Sequence, residues 1–250
     1  MISVVLPCYK DACHLRENVR KIAQILELLG RKFEIILVND ASPDETGTVA
    51  DEIAAESGEG RVRVFHHPRN RGRGAAFITG ARQATGDIVG YLDVDLEVSP
   101  VYLVECIHLI THEDADLVVG QRHYRVHLGL FYRHVLSRCY SYLVSRALGI
   151  PSHLDSESGF KFFRRQALEP YLHTFIHHGW FWDTEVVSRF HRDGRRIASF
   201  PCLFLRNSEK KSTVRLFRDT VRYAYELWRY RRLLKSDGAP IFPKPVSADC

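Results

Sequence analysis

Short apolar runs alternate with segments of helical spacing over the first hundred residues, and this pattern most limits the folds open to the chain. The apolar runs cover residues 2–6, 33–38, 62–65 and 88–92. The helical segments between them cover residues 14–29, 48–56 and 74–85. Most positions in each run are apolar, as in strands of a parallel sheet covered by helices on both faces. The sequence therefore predicts an α/β fold with a doubly wound, mostly parallel sheet, whose first strand stops at Pro7.

The pattern is looser after residue 100. We expect one further helix and three further strands, over residues 100–111, 117–119, 159–163 and 197–205. Residues 126–148 form an amphipathic stretch with interleaved arginines. We predict a main domain over residues 1–213, a basic amphipathic C-terminal helix over residues 214–235, and a flexible tail over residues 236–250.

The formal charge of +5 is unevenly distributed along the chain. Residues 206–235 contain ten Lys or Arg and three Asp or Glu, so the remainder of the chain is slightly acidic. An anionic partner is therefore expected at the C-terminal end rather than over the whole surface. No nucleic-acid recognition module accompanies this basic stretch, so we predict no nucleic-acid partner.

The sequence contains no targeting or membrane-spanning signal that we recognise. The N-terminal apolar run has no basic region ahead of it, which favours a strand over a signal peptide. No stretch has the roughly 18 uncharged apolar residues of a membrane span. The six cysteines have no CxxC spacing. We therefore expect a reduced, cytoplasmic setting without structural zinc.

Polar clusters follow three of the predicted strands. They are Tyr9-Lys10-Asp11, Asn39-Asp40 and Asp93-Val94-Asp95. Ligands of doubly wound folds bind outside the carboxyl ends of the strands. We therefore expect these three clusters to line one crevice.

The acidic motif Asp93-Val94-Asp95 has the chemistry of a divalent metal site. Two carboxylates and phosphate oxygens suit Mg²⁺ or Mn²⁺, and such a cation neutralises the charge of a departing nucleoside diphosphate. The alternative is a solvated acidic turn, but the position after a fourth strand and the nearby Glu97 favour a metal site. Gly72-Arg73-Gly74 is either a phosphate cradle or a plain turn into a helix. Asp155–Phe160 is either a functional loop or a capped turn.

The order of these motifs resembles that of family 2 glycosyltransferases of the Rossmann-like GT-A fold, in particular the dolichyl- or polyprenyl-phosphate mannose synthase branch. The resemblance covers about residues 1–215. Besides Gly80, its ordered motifs are VLPCYKD (5–11), VNDASPD (38–44), NRGRGAA (70–76), ATGD (84–87), DVDL (93–96), VGQR (119–122), DSESGFK (155–161), DTE (183–185) and RNSEKKS (206–212).

The resemblance implies a role for each matching residue. The base and ribose of a sugar nucleotide would contact Pro7, Tyr9, Asp11 and Asp40, and nucleotide binding would extend to Arg73, Asp93 and Val94. A metal would be held by Asp93, Asp95 and Glu97. Phosphates of donor and acceptor would meet Arg122, Arg206 and Lys210 or Lys211. Catalytic roles fall to Asp95, Arg122, Asp155 and Glu185, of which Asp155 and Glu185 would face the sugar or align the acceptor.

The sequence departs from the family pattern at three places. Position 11 is Asp where Glu is common, and Gln121 replaces the usual Ser or Thr before the arginine. The closing Gly-x-Ser-Lys motif is replaced by residues 208–212, so either Lys210 or Lys211 is left as the phosphate contact.

The many cations favour a phosphate acceptor. A hydroxyl acceptor needs a general base, whereas a phosphate is largely ionised at neutral pH and needs positive groups to position it. The resemblance implies inverting transfer from a GDP- or UDP-sugar, and together with the cations it leads us to expect a polyprenyl or dolichyl phosphate as the acceptor. The alternative is transfer to a glycan or small-molecule hydroxyl with Asp183 or Glu185 as base.

The two amphipathic stretches, residues 126–148 and 214–235, allow a related prediction. Basic amphipathic helices can lie in a membrane interface. We expect peripheral contact with the cytoplasmic membrane face. The alternative is that both helices pack on the protein core and expose only a solvated basic face.

Overall fold

A computed structural model describes residues 1–58, 60–124, 142–205 and 216–236. These residues form a seven-stranded sheet of order β3-β2-β1-β4-β6-β5-β7. Only β6 runs antiparallel to its neighbours β4 and β5. The strands are β1 Ile2–Cys8, β2 Phe33–Asn39, β3 Val62–His66, β4 Ile88–Leu92, β5 Leu117–Tyr124, β6 Phe160–Arg164 and β7 Ile197–Phe204.

Helices cover both faces of the sheet, as the sequence predicts. They are α1 Ala12–Leu28, α2 Thr46–Glu56, α3 Arg73–Gln83, α4 Leu103–His112, α5 over residues 142–148, α6 Arg165–Leu168, α7 Trp182–Arg192 and α8 Leu216–Ser236. Short 3₁₀ turns lie at Pro100–Tyr102 and Glu169–Tyr171. One core layer joins the sheet to α1, α2 and α4, and the other joins it to α3, α5, α7 and α8. The prediction of a doubly wound, mostly parallel sheet is confirmed.

Pro7 does not end the first strand, contrary to the sequence prediction. The Cys8 carbonyl accepts a hydrogen bond from the Asp40 amide on the β2 side, 3.0 Å away. Successive residues of a strand direct their backbone groups to alternate sides, so the nitrogen of Pro7 faces β4. The pairing of β1 with β4 ends at Val5, so the missing N–H of Pro7 removes no ladder bond there.

The antiparallel strand β6 brings a distant segment to the end of β4. Phe160 opens β6 opposite Leu92, the last residue of β4. The Asp93 amide donates a hydrogen bond of 3.0 Å to the Gly159 carbonyl. The segment before β6 therefore borders the acidic motif, although about 65 residues separate the two in sequence.

The helix α8 has one packed face and one exposed face. Tyr230 is fully buried, and the Tyr223 hydroxyl lies 2.6 Å from the Thr184 hydroxyl of α7. On the other face Tyr225 and Trp228 remain exposed, Trp228 by 53%. The inner face thus follows the core-packing interpretation, whereas membrane contact by the outer face stays a prediction. Of the stretch 126–148, only residues 142–148 are described.

The structure offers no membrane-crossing helix among the residues it describes, because none combines sufficient length with sufficient apolar character.

The close contact of β4 with β6 gives a stability prediction. A methyl group at Gly90 would overlap the ring of Phe162, whereas a methyl group at Gly179 would meet no atom within 4 Å. We expect Gly90→Ala to lower the free energy of unfolding by about 2 kcal/mol, because overpacking a core forces side chains and backbone to shift. Gly179→Ala is the matched control and should change it by less than about 1 kcal/mol. Urea unfolding of both variants measures the difference, and equal stabilities would contradict the described packing.

Candidate active site

Of the four non-glycine residues with positive φ in the described part of the chain, three lie just beyond the carboxyl ends of neighbouring parallel strands. Lys10 has φ 61° after β1, Ala41 has φ 54° after β2, and Leu96 has φ 51° after β4. Such conformations are unfavourable for residues with a Cβ and persist where surrounding structure imposes them, often at functional sites. The strain therefore marks the same edge of the sheet as the three polar clusters.

Asp40 organises the loop that enters α3. Its carboxylate is buried and accepts hydrogen bonds from the amides of Arg71 and Gly72, at 2.8 and 2.7 Å. His67, which the sequence analysis missed, lies 2.6 Å from the same carboxylate. Gly72 has φ 94° and presses against the backbone of His178, so only glycine fits there. Asp40 thus has a structural role in this loop, and its nucleotide-binding role stays a prediction.

Asp11 and Tyr9 shape the first turn of the crevice. The Asp11 carboxylate accepts a 2.8 Å hydrogen bond from the Tyr9 amide, and the Asp11 amide donates to Thr46 on α2. The Tyr9 ring remains exposed while Asp11 is buried. Of the two, Tyr9 thus offers an accessible surface and Asp11 holds the turn, and contact of either with a nucleotide stays a prediction.

The acidic motif is fixed by residues on three different elements. The Asp93 Oδ1 atom accepts hydrogen bonds from Arg73 at 2.7 Å and from the Tyr91 hydroxyl at 2.9 Å. The Val94 carbonyl accepts a 2.8 Å hydrogen bond from the Asn18 amide group on α1. Tyr91 and Asn18 were not predicted, because both lie within segments that the sequence pattern identified only as core strand and helix.

A chain of buried charges continues from Asp93 into the core. Arg73 Nε lies 3.4 Å from Asp183, and Asp183 lies 2.7 Å from Lys161, whose side chain has 0% exposure. Burial lowers the pKa of Arg73, but Asp183, Asp93 and Asp95 outweigh it and raise that pKa overall. Arg73 therefore remains a cation beside the acidic motif. Trp180, also missed by the sequence analysis, covers its guanidinium at 4.4 Å.

Arg122 and Asp155 form the second charged group of the crevice. The Asp155 carboxylate accepts two bonds from the Arg122 guanidinium, at 2.7 and 2.9 Å. Burial alone would raise the pKa of Asp155, but the charge of Arg122 outweighs it and lowers that pKa. Glu157 lies 3.9 Å from Arg122, and burial raises its pKa to about 7 despite that charge. The structure thus brings together Arg122 and Asp155, two separately predicted site residues, with Glu157 beside them.

Glu185 lies in the core rather than in the open crevice. Its fully buried carboxylate accepts hydrogen bonds from the amides of Ile176 and His177 and pairs with Arg189 at 2.5 Å. Burial would raise the pKa of Glu185, but the His177 hydrogen bond and the Arg189 charge outweigh it and lower that pKa. These contacts support the backbone of residues 176–177. A catalytic role for Glu185 stays a prediction, and the structure brings Asp183 of the same helix to Arg73 instead.

The predicted metal ligands fit a cation that phosphate oxygens help to bind. Within the described ranges, no three His, Cys, Asp or Glu side chains form a ready-made metal cluster. Asp93 and Asp95 are both partly exposed oxygen donors, Asp93 by 40%. Mg²⁺ commonly binds through one or two carboxylates and substrate phosphates, which suits this pair.

The remaining predicted ligands are not placed at a metal or phosphate. The backbone carbonyl of Glu97 accepts a 2.7 Å hydrogen bond from the Leu205 amide, and the role of Glu97 as a third metal ligand stays a prediction. The predicted phosphate contacts Arg206, Lys210 and Lys211 lie outside the described residues.

Gly159 leads to a prediction about the motif itself. A methyl group there would overlap the Asp93 carboxylate. We expect Gly159→Ala to displace that carboxylate and to lower kcat/KM for the sugar donor by roughly 10²-fold, because misplaced reacting groups lose most of their effect. Steady-state kinetics with thermal unfolding as a folding check would test this, with Gly179→Ala as the control. Unchanged kinetics in a folded variant would contradict the described contact.

Glu157 leads to a prediction about pH. Its pKa of about 7 in the folded state lies above the ordinary value of 4.5, so the folded protein binds more protons between these limits. The free energy of unfolding should therefore fall as pH rises through this window, by on the order of 2 kcal/mol from this group. Glu157→Gln removes this titration. The free energy of unfolding of the variant, relative to that of the wild type, should therefore increase from pH 4.5 to pH 7 and then level off. Urea unfolding across this range measures the difference, and a constant difference would contradict it.

Curated relatives with named activities match large parts of the chain. Glycosyltransferase AglD of Haloferax volcanii is 37% identical over 80% of this chain and 32% of its own length. The dolichol-phosphate mannosyltransferase of Pyrococcus furiosus is 30% identical over 67% of this chain and 47% of its own length. An undecaprenyl-phosphate 4-deoxy-4-formamido-L-arabinose transferase of Enterobacter is 38% identical over 40% of this chain and 30% of its own length. The chain thus spans less than half the length of these relatives.

Solved structures share the fold at low identity. Glucosyl-3-phosphoglycerate synthase of Mycobacterium tuberculosis in complex with UDP superimposes with a TM-score of 0.68 at 21% identity, covering 93% of this chain and 80% of that one. Mannosyltransferase PcManGT of Pyrobaculum calidifontis in complex with GDP-Man and Mn²⁺ gives 0.57 at 19% identity, covering 98% and 66%. These similarities confirm the predicted GT-A fold.

The family assignment follows from a sequence match that includes the residues lining the crevice. The family model described as glycosyl transferase family 2 matches residues 3–180, which include the acidic motif, Arg73 and Arg122. Because this match spans most of the chain, the protein belongs to glycosyltransferase family 2.

Proposed function

We propose that this glycosyltransferase transfers a sugar, with inversion, from a GDP- or UDP-sugar to a polyprenyl phosphate at a membrane surface. The observation that carries the proposal is the pair of arginines at the acidic motif. Arg73 contacts Asp93, and Arg122 lies on β5 across the antiparallel strand that borders the motif. Two cationic groups beside a carboxylate motif suit two phosphate-bearing substrates.

The donor side rests on Asp93, Asp95 and Arg73. The two carboxylates would hold Mg²⁺ or Mn²⁺, and a bound cation would neutralise negative charge on the leaving diphosphate. Arg73 is already held in place by Asp183 and Trp180, so it offers a fixed positive group at that position. A fixed cation stabilises developing charge without reorganising during the reaction. The exposed Tyr9 would face the base, with Asp11 and Asp40 holding the surrounding turns.

The acceptor side favours a phosphate over a hydroxyl. Asp183 is buried and pairs with both Lys161 and Arg73, and Glu185 is enclosed by its own hydrogen bonds. Asp155 pairs with Arg122 and has a lowered pKa. Carboxylates that are already paired with cations or enclosed in hydrogen bonds are poorly available to take a proton from a hydroxyl, whereas a phosphate acceptor is already ionised and needs no base. Two of the relatives are named for a dolichol phosphate and an undecaprenyl phosphate, which supports the same acceptor class.

The outer face of α8 supports contact with a membrane surface. It presents Tyr225 and Trp228 together with exposed arginines, and Arg232 lies 4.8 Å from the Trp228 ring. Aromatic and basic side chains on one helix face suit the interface of an anionic membrane. A membrane-embedded acceptor would then meet the enzyme at the lipid surface.

One observation favours the alternative of a hydroxyl acceptor. The pKa of Glu157 is raised to about 7, which suits a general base at neutral pH. Glu157 lies beside Arg122 in the same crevice. A glycan or small-molecule hydroxyl would then be the acceptor, with Glu157 taking its proton.

A transfer assay tests the proposed acceptor. The purified chain is incubated with radiolabelled GDP- and UDP-sugars, a short polyprenyl phosphate in detergent, and Mn²⁺ or Mg²⁺. We expect a lipid-extractable product from at least one donor and its loss when EDTA removes the metal. Transfer only to glycan or small-molecule hydroxyls, with no lipid product from any donor, would overturn the phosphate acceptor.

A pair of substitutions separates the two mechanisms. Asp93→Asn should lower kcat/KM by roughly 10²-fold or more under either mechanism, because it weakens stabilisation of the leaving group. Glu157→Gln should leave transfer to a phosphate within a few-fold of wild type, but should lower transfer to a hydroxyl by roughly 10²-fold. Steady-state rates with the preferred acceptor measure both. A large loss for Glu157→Gln with polyprenyl phosphate would contradict base-free transfer.

A further inference from the structure

A polar cavity that is open to solvent, with Arg71, Arg82, His173 and His178 all exposed, lies on the side of α3 that faces residues 172–178. Its volume is about 280 Å³, and its polar lining includes Arg71, Thr79, Arg82, His173 and His178. Tyr9, Asp93 and Arg122 of the active-site crevice do not line it. From Ala75 to Arg82 it follows α3 for about 10 Å, from the crevice end of the helix towards the opposite edge of the sheet.

The cavity has a positive lining without a carboxylate. Four of its side chains are arginine or histidine, and none is Asp or Glu. In the part of the chain that the structure describes, neither Arg71 nor Arg82 forms an ion pair. Arg82 donates one 2.8 Å hydrogen bond to the Leu172 carbonyl. A guanidinium has five N–H donors, so the others take no part in this bond. Arginines gathered in this way without counter-charges form a site suited to an anion.

The electrostatics of His178 agree with that lining. Burial and then the charge of Arg71 lower its pKa, and Arg82 acts in the same direction. The charge of Glu185 acts to raise the pKa of His178, but the Glu185 carboxylate already pairs with Arg189 and His177. The ring of His178 thus lies near the positive charges of Arg71 and Arg82, which an anion would partly neutralise.

The cavity wall is hydrogen-bonded to the nucleotide side of the fold. The Thr79 hydroxyl lies 2.9 Å from His67, and His67 lies 2.6 Å from Asp40. Asp40 in turn accepts the amide of Arg71, a residue of the cavity itself. The His178 carbonyl accepts a 2.9 Å bond from Ala75 at the start of α3. An occupant of the cavity would therefore contact both segments that meet at Gly72.

We propose that this cavity is a second anion site, separate from the active-site crevice, that binds a small phosphate-bearing anion. Arg71 and Arg82 supply the charge, and His173, His178 and Thr79 supply further hydrogen bonds. The volume suits inorganic phosphate or a small phosphomonoester and is too small for a whole sugar nucleotide.

Histidine NMR signals provide a local test. The full-length protein, labelled in its histidine rings, is titrated with inorganic phosphate and separately with glycerol phosphate, without divalent metal. His173→Gln and His178→Gln assign the two signals. We expect both signals to shift and saturate with at least one probe, and the probe that binds more tightly identifies free phosphate or a phosphomonoester. Absence of a saturable shift with either probe overturns the proposal.

Charge-removing variants locate the bound anion. Arg82→Gln can still donate to the Leu172 carbonyl, and we expect it to weaken binding by roughly five- to tenfold. Arg71→Gln serves as a second variant at an exposed position, and thermal unfolding confirms that both fold. Arg122→Gln in the crevice is the control and should leave the histidine response unchanged. Loss of the response in Arg122→Gln, or its persistence in both cavity variants, would overturn the proposal.

Discussion

Four charged side chains of alternating sign connect the core of this protein to its candidate active-site crevice. Lys161 pairs with Asp183, Asp183 with Arg73, and Arg73 with Asp93, the first carboxylate of the acidic motif. Exposure rises along this chain from 0% at Lys161 to 40% at Asp93. A buried charge that loses its partner is strongly destabilising, so each member depends on the next. The position of Arg73 at the crevice thereby depends on two buried residues, Asp183 and Lys161.

The antiparallel strand β6 makes this arrangement possible. It inserts between β4 and β5, so Lys161 of β6 lies opposite Tyr91 of β4 and beneath the acidic motif. The same pairing places Gly159 against Asp93, where no larger residue fits. It also brings Asp155, just before β6, to Arg122 on the neighbouring strand. The antiparallel strand β6 thus brings a second set of charged groups to the crevice edge. Without it, this edge would carry only the loops that follow the parallel strands.

The segment between α6 and α7 links the crevice to the C-terminal helix. Trp180 covers Arg73, and the His178 carbonyl holds the start of α3. On the other side of the same segment, His177 lies between Glu185 and Glu226 of α8, at 2.7 and 3.3 Å. Phe181 packs on the rings of both Tyr223 and Tyr230. The same segment therefore contacts both α8, which we propose binds the membrane, and Arg73, which we propose binds the diphosphate.

The sequence by itself determined the layered sheet, the crevice edge and the place of the acidic motif. Local periodicity identifies a buried strand, and parallel strands end at one edge, so Asp93 and Asp40 could be assigned to it. The tertiary structure alone decided which charges meet. Lys161, Asp183 and Arg73 are far apart in sequence, and no local pattern encodes that β6 runs antiparallel beside β4. Nor could spacing show that Asp183 faces Arg73 while Glu185, two residues later, turns into the core, because the rotation of a helix about its axis is set by packing.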